Sequence, residues 1–417
     1  MSVALVSAVD PYPVDAGKKV VLAGFVEYFR DRFGPDDVHY LLVGGEQRPE
    51  FPVTLHPLPK PNPFVALGHA VTRVPSGRAT LQESMLRSRR VATAVSAVLD
   101  RIQPSVEIYD TIRMAQYAGD GRADQQICYL DDLFSERYRG MLAAGDRYPD
   151  VEIRPLGNFA AHVPGSLRPL ADSRGSQRAL LRLESRLAER SEDRVARRFR
   201  RSLLVNAGEA DRLARRSAAG AVVGVVPPMV RLPEQRQRAF KGRPEFVFLG
   251  LLSLPHNDDG LRSFLTDVWP RALALRPDAR LRVFGKEPSP ALSALAAKFS
   301  DSVTLEGYVV NLADVLSSAA ALVNPLRFGS GVKLKVIEAL AMGLPVVSTT
   351  VGADGFANGV DAGIPVADCA EEFADAMLDL TGLERNAQAS AGATAHFESK
   401  FTREAVFARY DEAFDLR

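Results

Sequence analysis

The residues best suited to do chemistry lie in one stretch, 324–355, which reads NPLRFGSGVKLKVIEALAMGLPVVSTTVGADG. Its pattern predicts a strand, a loop containing Gly329 and Gly331, a helix and a second strand, which is a βαβ unit. A glycine-bearing loop that leads into a helix offers backbone N–H groups and the positive end of the helix dipole to an anion. Lys333 and Lys335 add positive charge. The stretch therefore predicts a phosphate or diphosphate site.

Glu338 adds a second kind of contact to this prediction. It follows Gly331 by seven residues, two helical turns, so the spacing predicts that both lie on one helix face, about 10 Å apart. An ionised carboxylate only accepts hydrogen bonds, which suits the hydroxyls of a ribose. Phosphate and ribose at this separation match a nucleoside diphosphate. An ordinary strand–helix turn, a solvated glutamate and solvated lysines remain the alternatives, because no dinucleotide or P-loop fingerprint is present.

The same residues carry a family resemblance. The segment resembles the donor-binding region of GT-B glycosyltransferases of the retaining family 4 type, also called group 1 glycosyltransferases. Those enzymes show a Glu-x7-Glu motif and then EAMAxGxPVV, and here 338–347 read EALAMGLPVV, with GADG at 352–355. Upstream, 246–250, 281–285 and 303–309 resemble the strands that open the family's C-terminal domain. The N-terminal half matches only in outline.

Two departures from the family pattern affect the donor site. Ser330 stands where the motif has its first glutamate, so contacts to the donor sugar would come from the N–H groups of Gly331 and Val332. His256 and Asn257 stand where the family commonly has Arg or Lys near the diphosphate. The resemblance implies the following donor-binding residues: Gly17, Gly250, His256, Asn257, Gly285, Lys286, Tyr308, Pro325, Arg327, Gly329, Ser330, Gly331, Val332, Lys333 and Glu338.

Asp131 and Asp132 are the catalytic candidates of the N-terminal half, together with Lys333 from the C-terminal half. Both aspartates follow a predicted strand, and ligands of open α/β sheets bind at the carboxyl ends of strands. A carboxylate there can orient or deprotonate an acceptor hydroxyl; the alternative is that one of them caps the next helix. The resemblance implies that helix dipole and basic side chains hold the diphosphate, so no metal and no cofactor beyond the nucleotide-sugar substrate are expected.

The amino-acid composition limits the classes of protein to which the chain can belong. The chain has 417 residues, which is too long for one core, with 46% hydrophobic and 25% charged residues. Lys and Arg number 52 against 51 Asp and Glu, so no general attraction to nucleic acid is indicated. Cys128 and Cys369 are too few for a disulfide scaffold or zinc site. Without an evident signal peptide or long apolar run, we expect a cytoplasmic protein.

Alternating strands and helices predict an α/β protein with parallel sheets covered by helices. The family resemblance implies the GT-B fold, with two Rossmann-like domains whose parallel sheets face a central cleft. We expect an acceptor-binding domain over 1–235 and a nucleotide-sugar-binding domain over 243–385. The Pro-rich stretch 50–75 is interpreted as loop, and 84–101 as one helix. A last helix, 397–417, is expected to pack back on the first domain, or else on its own.

The most charge-biased segment is 177–201, which contains nine arginines. Five of them step by four residues and would form one stripe on a helix: Arg178, Arg182, Arg186, Arg190 and Arg194. Such a stripe is a solvated face, or else it contacts anionic lipid headgroups or a lipid-linked diphosphate acceptor.

The sequence thus favours a glycosyltransferase that moves a sugar from a nucleotide-diphosphate sugar to a hydroxyl of a glycan, lipid-linked or small-molecule acceptor, with retention of configuration. Peripheral membrane contact through Arg178–Arg201 is a possibility that follows from the arginine stripe, and no nucleic-acid partner is expected. A non-catalytic partner subunit and a nucleotide-sugar epimerase of the same fold are the alternatives.

Overall fold

The computed structural model describes residues 1–148, 174–217, 220–230, 238–309 and 313–416. The described residues divide into two compact units. Unit 1 draws on Met1–Arg139, Pro164–Met229 and Val406–Arg417, and unit 2 on Gly140–Val163 and Val230–Ala405. Within these described ranges, no helix combines the length and apolar character that crossing a bilayer requires.

Unit 1 is built on a seven-stranded parallel sheet with the order β3-β2-β1-β4-β5-β6-β7. Its central strands are buried along their length, because helices cover both faces of a parallel sheet. The strands are β1 (Val3–Ser7), β2 (Val38–Val43), β3 (Thr54–Leu58), β4 (Val106–Asp110), β5 (Gln126–Asp131), β6 (Arg201–Leu204) and β7 (Val223–Val225).

Eight helices precede the first strand of the second sheet in the described part of the chain, besides short 3-10 turns at Pro35–Asp37 and Asp120–Gln125. They are α1 (Gly17–Phe33), α2 (Pro63–Arg73), α3 (Leu81–Met85), α4 (Arg89–Ile102), α5 (Thr111–Ala115), α6 (Phe134–Arg147), α7 (Arg174–Arg198) and α8 (Ala207–Arg216).

Unit 2 contains a five-stranded parallel sheet in the order β10-β9-β8-β11-β12. Its strands are β8 (Glu245–Leu249), β9 (Arg280–Phe284), β10 (Val303–Gly307), β11 (Ala321–Asn324) and β12 (Val346–Ser348). Its helices are α9 (Pro255–Ser263), which continues through a π turn at Phe264–Val268 into α10 (Trp269–Leu275), then α11 (Pro290–Ala297), α12 (Ala313–Ser318), α13 (Leu334–Ala341), α14 (Ala370–Asp379) and α15 (Leu383–Lys400), with a 3-10 turn at Val360–Ala362.

The final helix, α16 (Arg403–Phe414), belongs to unit 1 and not to the unit that precedes it in sequence. Tyr410 and Phe414 each pack edge-on against Phe25 of α1, with ring centroids 5.2 Å apart, and the Tyr410 hydroxyl donates to the Pro227 carbonyl at 2.8 Å. The segment expected as one helix from residue 397 is interrupted between α15 and α16. Part of the expected linker, 231–237, lies outside the described residues.

Two local predictions were wrong. The stretch 50–75 is not a loop, because it contains β3 and α2; β3 is an edge strand, where its Pro57 is tolerated, and Asn62 caps α2 ahead of a proline. The single helix expected at 84–101 is two helices. Thr80 and Glu83 form a capping box on α3, and Ser88 caps the separate helix α4.

Each sheet has a topological switch point that can hold a ligand. In unit 1 it lies between β1 and β4, and in unit 2 between β8 and β11, because the strand order reverses there. Loops leaving the carboxyl ends of two such strands diverge and leave a crevice between them. The candidate site residues of each unit follow these strands or strands that neighbour them in the sheet.

Candidate active site

The loop between β11 and α13 is the centre of the site in unit 2. Gly331 has a φ of +68°, a backbone conformation that favours glycine. Lys333 is the N-cap residue of α13, and its buried Nζ donates to the Gly331 carbonyl at 2.7 Å. The helix then begins with Leu334 and Lys335, whose amide groups, in a first turn, have no intrahelical acceptor. The loop therefore directs a helix N-terminus and Lys333 toward the switch point.

The shared helix face expected for Gly331 and Glu338 was wrong, because Gly331 lies before the helix. Glu338 is on the second turn of α13 and is exposed. Neighbouring protein nevertheless desolvates its carboxylate and raises its pKa, while the positive charge of Lys335 opposes this shift. Ser330 and Val332 are partly buried and Gly329 is exposed in the same loop.

Lys335 contributes more to the site than the sequence indicated. Its Nζ donates to Asn257 Oδ1 at 2.9 Å and lies 4.3 Å from the centre of the Phe248 ring. Burial lowers the pKa of Lys335 to about 7, and the positive charge of Lys333 adds to that effect. A lysine that titrates near neutral pH gains charge when an anion binds beside it. Lys335 thus links the loop to α9.

The loop after β8 packs tightly against this cation. Asn257, on α9, donates through Nδ2 to the Leu251 carbonyl at 2.9 Å. A Cβ on Gly250 would lie 2.7 Å from that Nδ2, and a Cβ on Gly285 would lie 1.9 Å from the Gly250 carbonyl oxygen. Glycines are needed at both strand ends because the backbone and Asn257 leave no room for a side chain.

Arg327 fixes the position of the β11–α13 loop relative to α9. Its Nε donates to Asp259 Oδ2 at 2.8 Å, and a second bond joins the same two buried side chains. Nearby, a Cβ on Gly260 would lie 2.7 Å from the carbonyl oxygen of Pro325, so loop and helix are in direct contact. Asp259 was not among the predicted residues. A donor-binding role for Arg327 stays a prediction, since its charge is already compensated in this structure.

Three more predicted residues lie at the edge of the same region. Lys286 and Tyr308 follow β9 and β10 and are exposed, with the Lys286 Nζ 4.1 Å from the centre of the Tyr308 ring. His256 lies on the first turn of α9, its ring edge-on to Phe328 with centroids 6.5 Å apart. An exposed aromatic ring at a strand end offers a stacking surface for a nucleobase.

In unit 1 the switch point holds a cluster of charged side chains, in which Asp110 is buried and Lys18 and Asp131 are partly buried. Lys18, which follows Gly17 at the start of α1, places its Nζ 2.6 Å from Asp110 Oδ1 and 3.8 Å from Asp131 Oδ2. Ser7 Oγ donates to the other Asp110 oxygen at 2.6 Å. Ser7 and Asp110 are the last residues of β1 and β4, the two strands at the switch point. Their strand-end positions were the signal that could have identified them as site residues.

The two predicted catalytic aspartates differ in their surroundings. Both oxygens of Asp132 bind Arg137, at 2.9 and 2.7 Å. Asp131 accepts from the Tyr129 hydroxyl at 2.7 Å, and its φ of +71° is uncommon for a residue other than glycine. Burial raises the pKa of Asp131, Lys18 lowers it and Asp132 raises it. Asp131 is thus the better general-base candidate.

Carboxylates from other helices bond to the first amides of α6. Glu209 accepts from the Leu133 amide at 3.1 Å, and Glu192 accepts from the Ser135 amide at 3.0 Å. Buried acidic groups at a helix N-terminus compensate its unpaired N–H groups and its dipole. The two glutamates thus supply acceptors at this helix start, and a cap by one of the aspartates stays the alternative interpretation.

No group of three or more His, Cys, Asp or Glu side chains capable of holding a metal occurs within the residues that the structure describes. Metal-independent chemistry stays a prediction.

Replacing Lys18 with Met tests the unit 1 cluster. Removing one partner of a buried ion pair leaves the other charge uncompensated, so we expect the free energy of unfolding to fall by roughly 3–5 kcal/mol. Lys19→Met is the matched control, because Lys19 pairs with the exposed Asp15 and should cost about 0–1 kcal/mol. Urea unfolding measures both; equal losses for the two variants would contradict the buried pair.

Comparison with known proteins agrees with this architecture. Residues 243–382 match the family model described as Glycosyl transferases group 1. An uncharacterized 44.6 kDa protein in the cps region of Klebsiella pneumoniae is 28% identical in an alignment of 119 residues that covers 26% of this chain and 30% of that protein. The aligned part is therefore less than a third of that relative's length.

Solved structures of glycosyltransferases superpose on the whole chain. Sucrose-phosphate synthase from Thermosynechococcus elongatus gives a TM-score of 0.68 at 15% identity, covering 100% of this chain and 98% of that one. A TarM variant from S. aureus gives 0.63 at 8% identity, and HepE from Anabaena gives 0.55 at 10% identity, both with 100% coverage of either chain. At sequence identities this low, the similarity to these structures shows the fold alone.

The two parallel sheets and these superpositions define the class: the fold is that of the GT-B glycosyltransferases. The match to the group 1 glycosyltransferase family model covers 140 of the 417 residues, 243–382.

Proposed function

We propose that the protein transfers a sugar from a nucleotide-diphosphate sugar to an acceptor hydroxyl. The observation that carries this proposal is the convergence at the unit 2 switch point of the α13 N-terminus, Lys333 and Lys335, with Lys335 bonded to Asn257. Anions bind at helix N-termini that carry such groups. Solved structures of two of the superposed proteins, TarM and HepE, contain UDP, which supports a uridine or similar nucleotide here.

In the proposed reaction, Lys333 and the amides of Gly331 and Val332 stabilise the negative charge that develops on the leaving diphosphate. Glu338 accepts from the ribose hydroxyls. The acceptor hydroxyl is oriented or deprotonated by Asp131. Transfer proceeds with retention of configuration and without a metal, as the family resemblance implies. Lys335 strengthens diphosphate binding by gaining a proton.

We place the acceptor within residues 1–235 and the donor within 243–385. A glycan or lipid-linked acceptor is favoured, because the Klebsiella relative is encoded in a cps region. WaaG, a further solved structure that superposes on this chain with a TM-score of 0.55 at 14% identity, is involved in lipopolysaccharide biosynthesis. Such an acceptor fits a protein that lies at the cytoplasmic side of a membrane. The protein would contact that membrane through the arginine stripe within Arg178–Arg201. Arg182, Arg186 and Arg190 are exposed on α7, while Leu181, Leu187 and Ala188 are buried.

A thermal-shift panel with UDP, GDP, dTDP, ADP and CMP tests the donor site. A ligand that binds only the native state raises the unfolding temperature, so one diphosphate nucleotide should stabilise the wild type. Glu338→Ala should lose most of that shift, since each charge-assisted hydrogen bond contributes about 1.5–3 kcal/mol. Glu384→Ala, at an exposed position of α15, is the matched control and should keep it.

The same panel separates the proposed enzyme from a non-catalytic GT-B partner protein. No shift with any nucleotide would contradict the donor site. A shift without release of free nucleotide from the corresponding sugar donor, with or without an acceptor, would favour a binding subunit.

A further inference from the structure

Helix α2 presents apolar side chains to solvent. Phe64 is 86% exposed, Val65 51% and Val71 66%. They lie within eight consecutive residues of one helix, whereas its Ala66 and Ala70 are buried. Solvent-facing helix positions are normally polar. An exposed apolar group of this kind marks an interaction surface.

The outward face of α2 also lacks charge. Residues 63–72 read PFVALGHAVT, without Asp, Glu, Lys or Arg. Phe64, Gly68 and Val71 follow the i, i+4, i+7 spacing of one helix face, and all three are exposed. The Thr72 hydroxyl donates to the Gly68 carbonyl at 2.8 Å, which satisfies part of its polarity within the helix. The exposed residues of this face, Phe64, Gly68 and Val71, carry no charge that would oppose transfer out of water.

Positive charge surrounds the C-terminal half of α2. Partial burial and then the charges of Arg87, Arg73 and Arg89 lower the pKa of His69, so three guanidinium groups lie near this helix residue. Arg190 of the α7 stripe reaches the turn after α2, where a Cβ on Gly77 would lie 3.4 Å from its Nη1. The acidic side chain of Glu83, on the neighbouring helix α3, already accepts a hydrogen bond from Arg194 at 3.1 Å.

We propose that α2 is a membrane-docking helix: its apolar face enters the headgroup region of an anionic bilayer, and the arginines beside it and on α7 bind lipid phosphates. An apolar helix face bordered by basic residues is the arrangement that binds the interface of anionic membranes. This inference rests on the proposed membrane contact of the arginine stripe and adds the element that inserts.

A second copy of the chain fits this surface less well. Three apolar side chains cover much less than the roughly 800 Å² per partner of a standard interface. Two such surfaces would also bring like-charged arginines together, which is unfavourable. A bilayer supplies both the apolar medium and the negative charge.

Co-sedimentation of the full chain with vesicles tests the proposal. We expect binding to vesicles of phosphatidylcholine mixed with phosphatidylglycerol and little binding to phosphatidylcholine alone. The double variant Phe64→Ser/Val71→Ser should weaken binding about a hundredfold, since burying each such side chain is worth about one factor of ten or more. Leu275→Ser/Leu383→Ser is the matched control, because these unit 2 leucines are 60% and 62% exposed.

Insertion has its own spectroscopic readout. The chain's single tryptophan, Trp269, is buried. In a Phe64→Trp variant, emission should shift to shorter wavelength when anionic vesicles are added, whereas the wild-type spectrum should stay unchanged. An unshifted Phe64→Trp spectrum in the presence of bound vesicles would overturn insertion by α2.

The outcomes separate this inference from the proposals on which it rests. If Arg182→Glu/Arg186→Glu abolishes binding while Phe64→Ser/Val71→Ser leaves it intact, the arginine contact stands and docking by α2 is wrong. If the wild type binds neither vesicle, both are wrong. Concentration-dependent self-association lost only in the α2 variant would assign the surface to a second copy. The nucleotide thermal shift, unaffected in every variant, monitors the donor site independently.

Discussion

Asp131→Asn is expected to lower kcat for sugar transfer by roughly 10²–10⁴-fold, the usual contribution of a positioned general base. The amide keeps the size of the carboxylate and can still accept from the Tyr129 hydroxyl. It cannot take up a proton from an acceptor hydroxyl. Nucleotide binding in unit 2 should be unchanged, so the thermal shift with the donor nucleotide serves as the internal control.

The pH dependence of this variant distinguishes a base from a structural residue. Burial raises the pKa of Asp131, so activity of the wild type should rise with pH through that pKa, and this limb should disappear in Asp131→Asn. The free energy of unfolding depends on pH in the opposite direction. Between the unfolded and folded pKa values the native state holds more protons, so Asp131's contribution to the free energy of unfolding falls as pH rises. The neutral asparagine is therefore not expected to destabilise the fold near pH 7 through desolvation.

Asp132→Asn is the matched comparison. Asp132 is buried and holds Arg137 through both oxygens, so we expect a loss of stability with little loss of kcat at a temperature where the variant is folded. Urea unfolding and steady-state kinetics measure the two effects separately. Should Asp132→Asn lose transfer while Asp131→Asn keeps it, the assignment of the base would be reversed.

Lys335→Met is the second change with a large expected effect, a loss of about 10–100-fold in affinity for the nucleoside diphosphate. A charge-assisted hydrogen bond is worth about 1.5–3 kcal/mol, and 1.4 kcal/mol is a factor of ten. Methionine keeps most of the side-chain volume and its contact with Phe248. Isothermal titration with the nucleotide identified by the thermal-shift panel measures the affinity.

The dependence of that affinity on pH identifies Lys335 specifically. With a pKa of about 7 in the absence of ligand, the lysine loses its charge as pH rises above neutral, and the wild-type Kd should increase between pH 7 and pH 9. Lys335→Met should show weak, nearly constant binding over the same range. Lys335→Arg, whose side chain stays protonated, should bind without the pH dependence. A pH-dependent Kd in Lys335→Met would assign the titration to another group.

Stability gives an independent check on the same lysine. Because its folded pKa lies below the unfolded value of 10.5, the unfolded state binds more protons between the two pKa values, and stability linked to Lys335 rises with pH over that range. The cost of burying the charge is therefore largest below pH 7. Lys335→Met should gain the most stability relative to wild type at pH 6, and thermal unfolding at pH 6 and pH 9 would show this difference.

Local features of the sequence were sufficient to identify the fold class and the loop of the donor site. The alternation of apolar strands with helices requires a parallel sheet, and the glycine loop before α13 is recognisable because backbone conformation and helix polarity are local properties. The same reasoning failed at β3 and α2. There, prolines at an edge strand and at a helix start, positions that tolerate them, were interpreted as loop signals.

Amino-acid sequence alone determined which residue types stand at the strand ends, and so which side chains are available to bind a diphosphate or to accept a proton. Tertiary structure decided how those charges are compensated. Arg327 is paired with Asp259 and Asp132 with Arg137, whereas Lys335 is buried beside Asn257, and Asp131 lies beside Lys18 and Tyr129. The partners of Arg327, Lys335 and Lys18 come from distant parts of the chain, and burial alters a pKa only once the chain has folded around the group. For that physical reason, spacing along the sequence could identify these residues as candidates for diphosphate binding or proton transfer, but it could not rank one candidate above another.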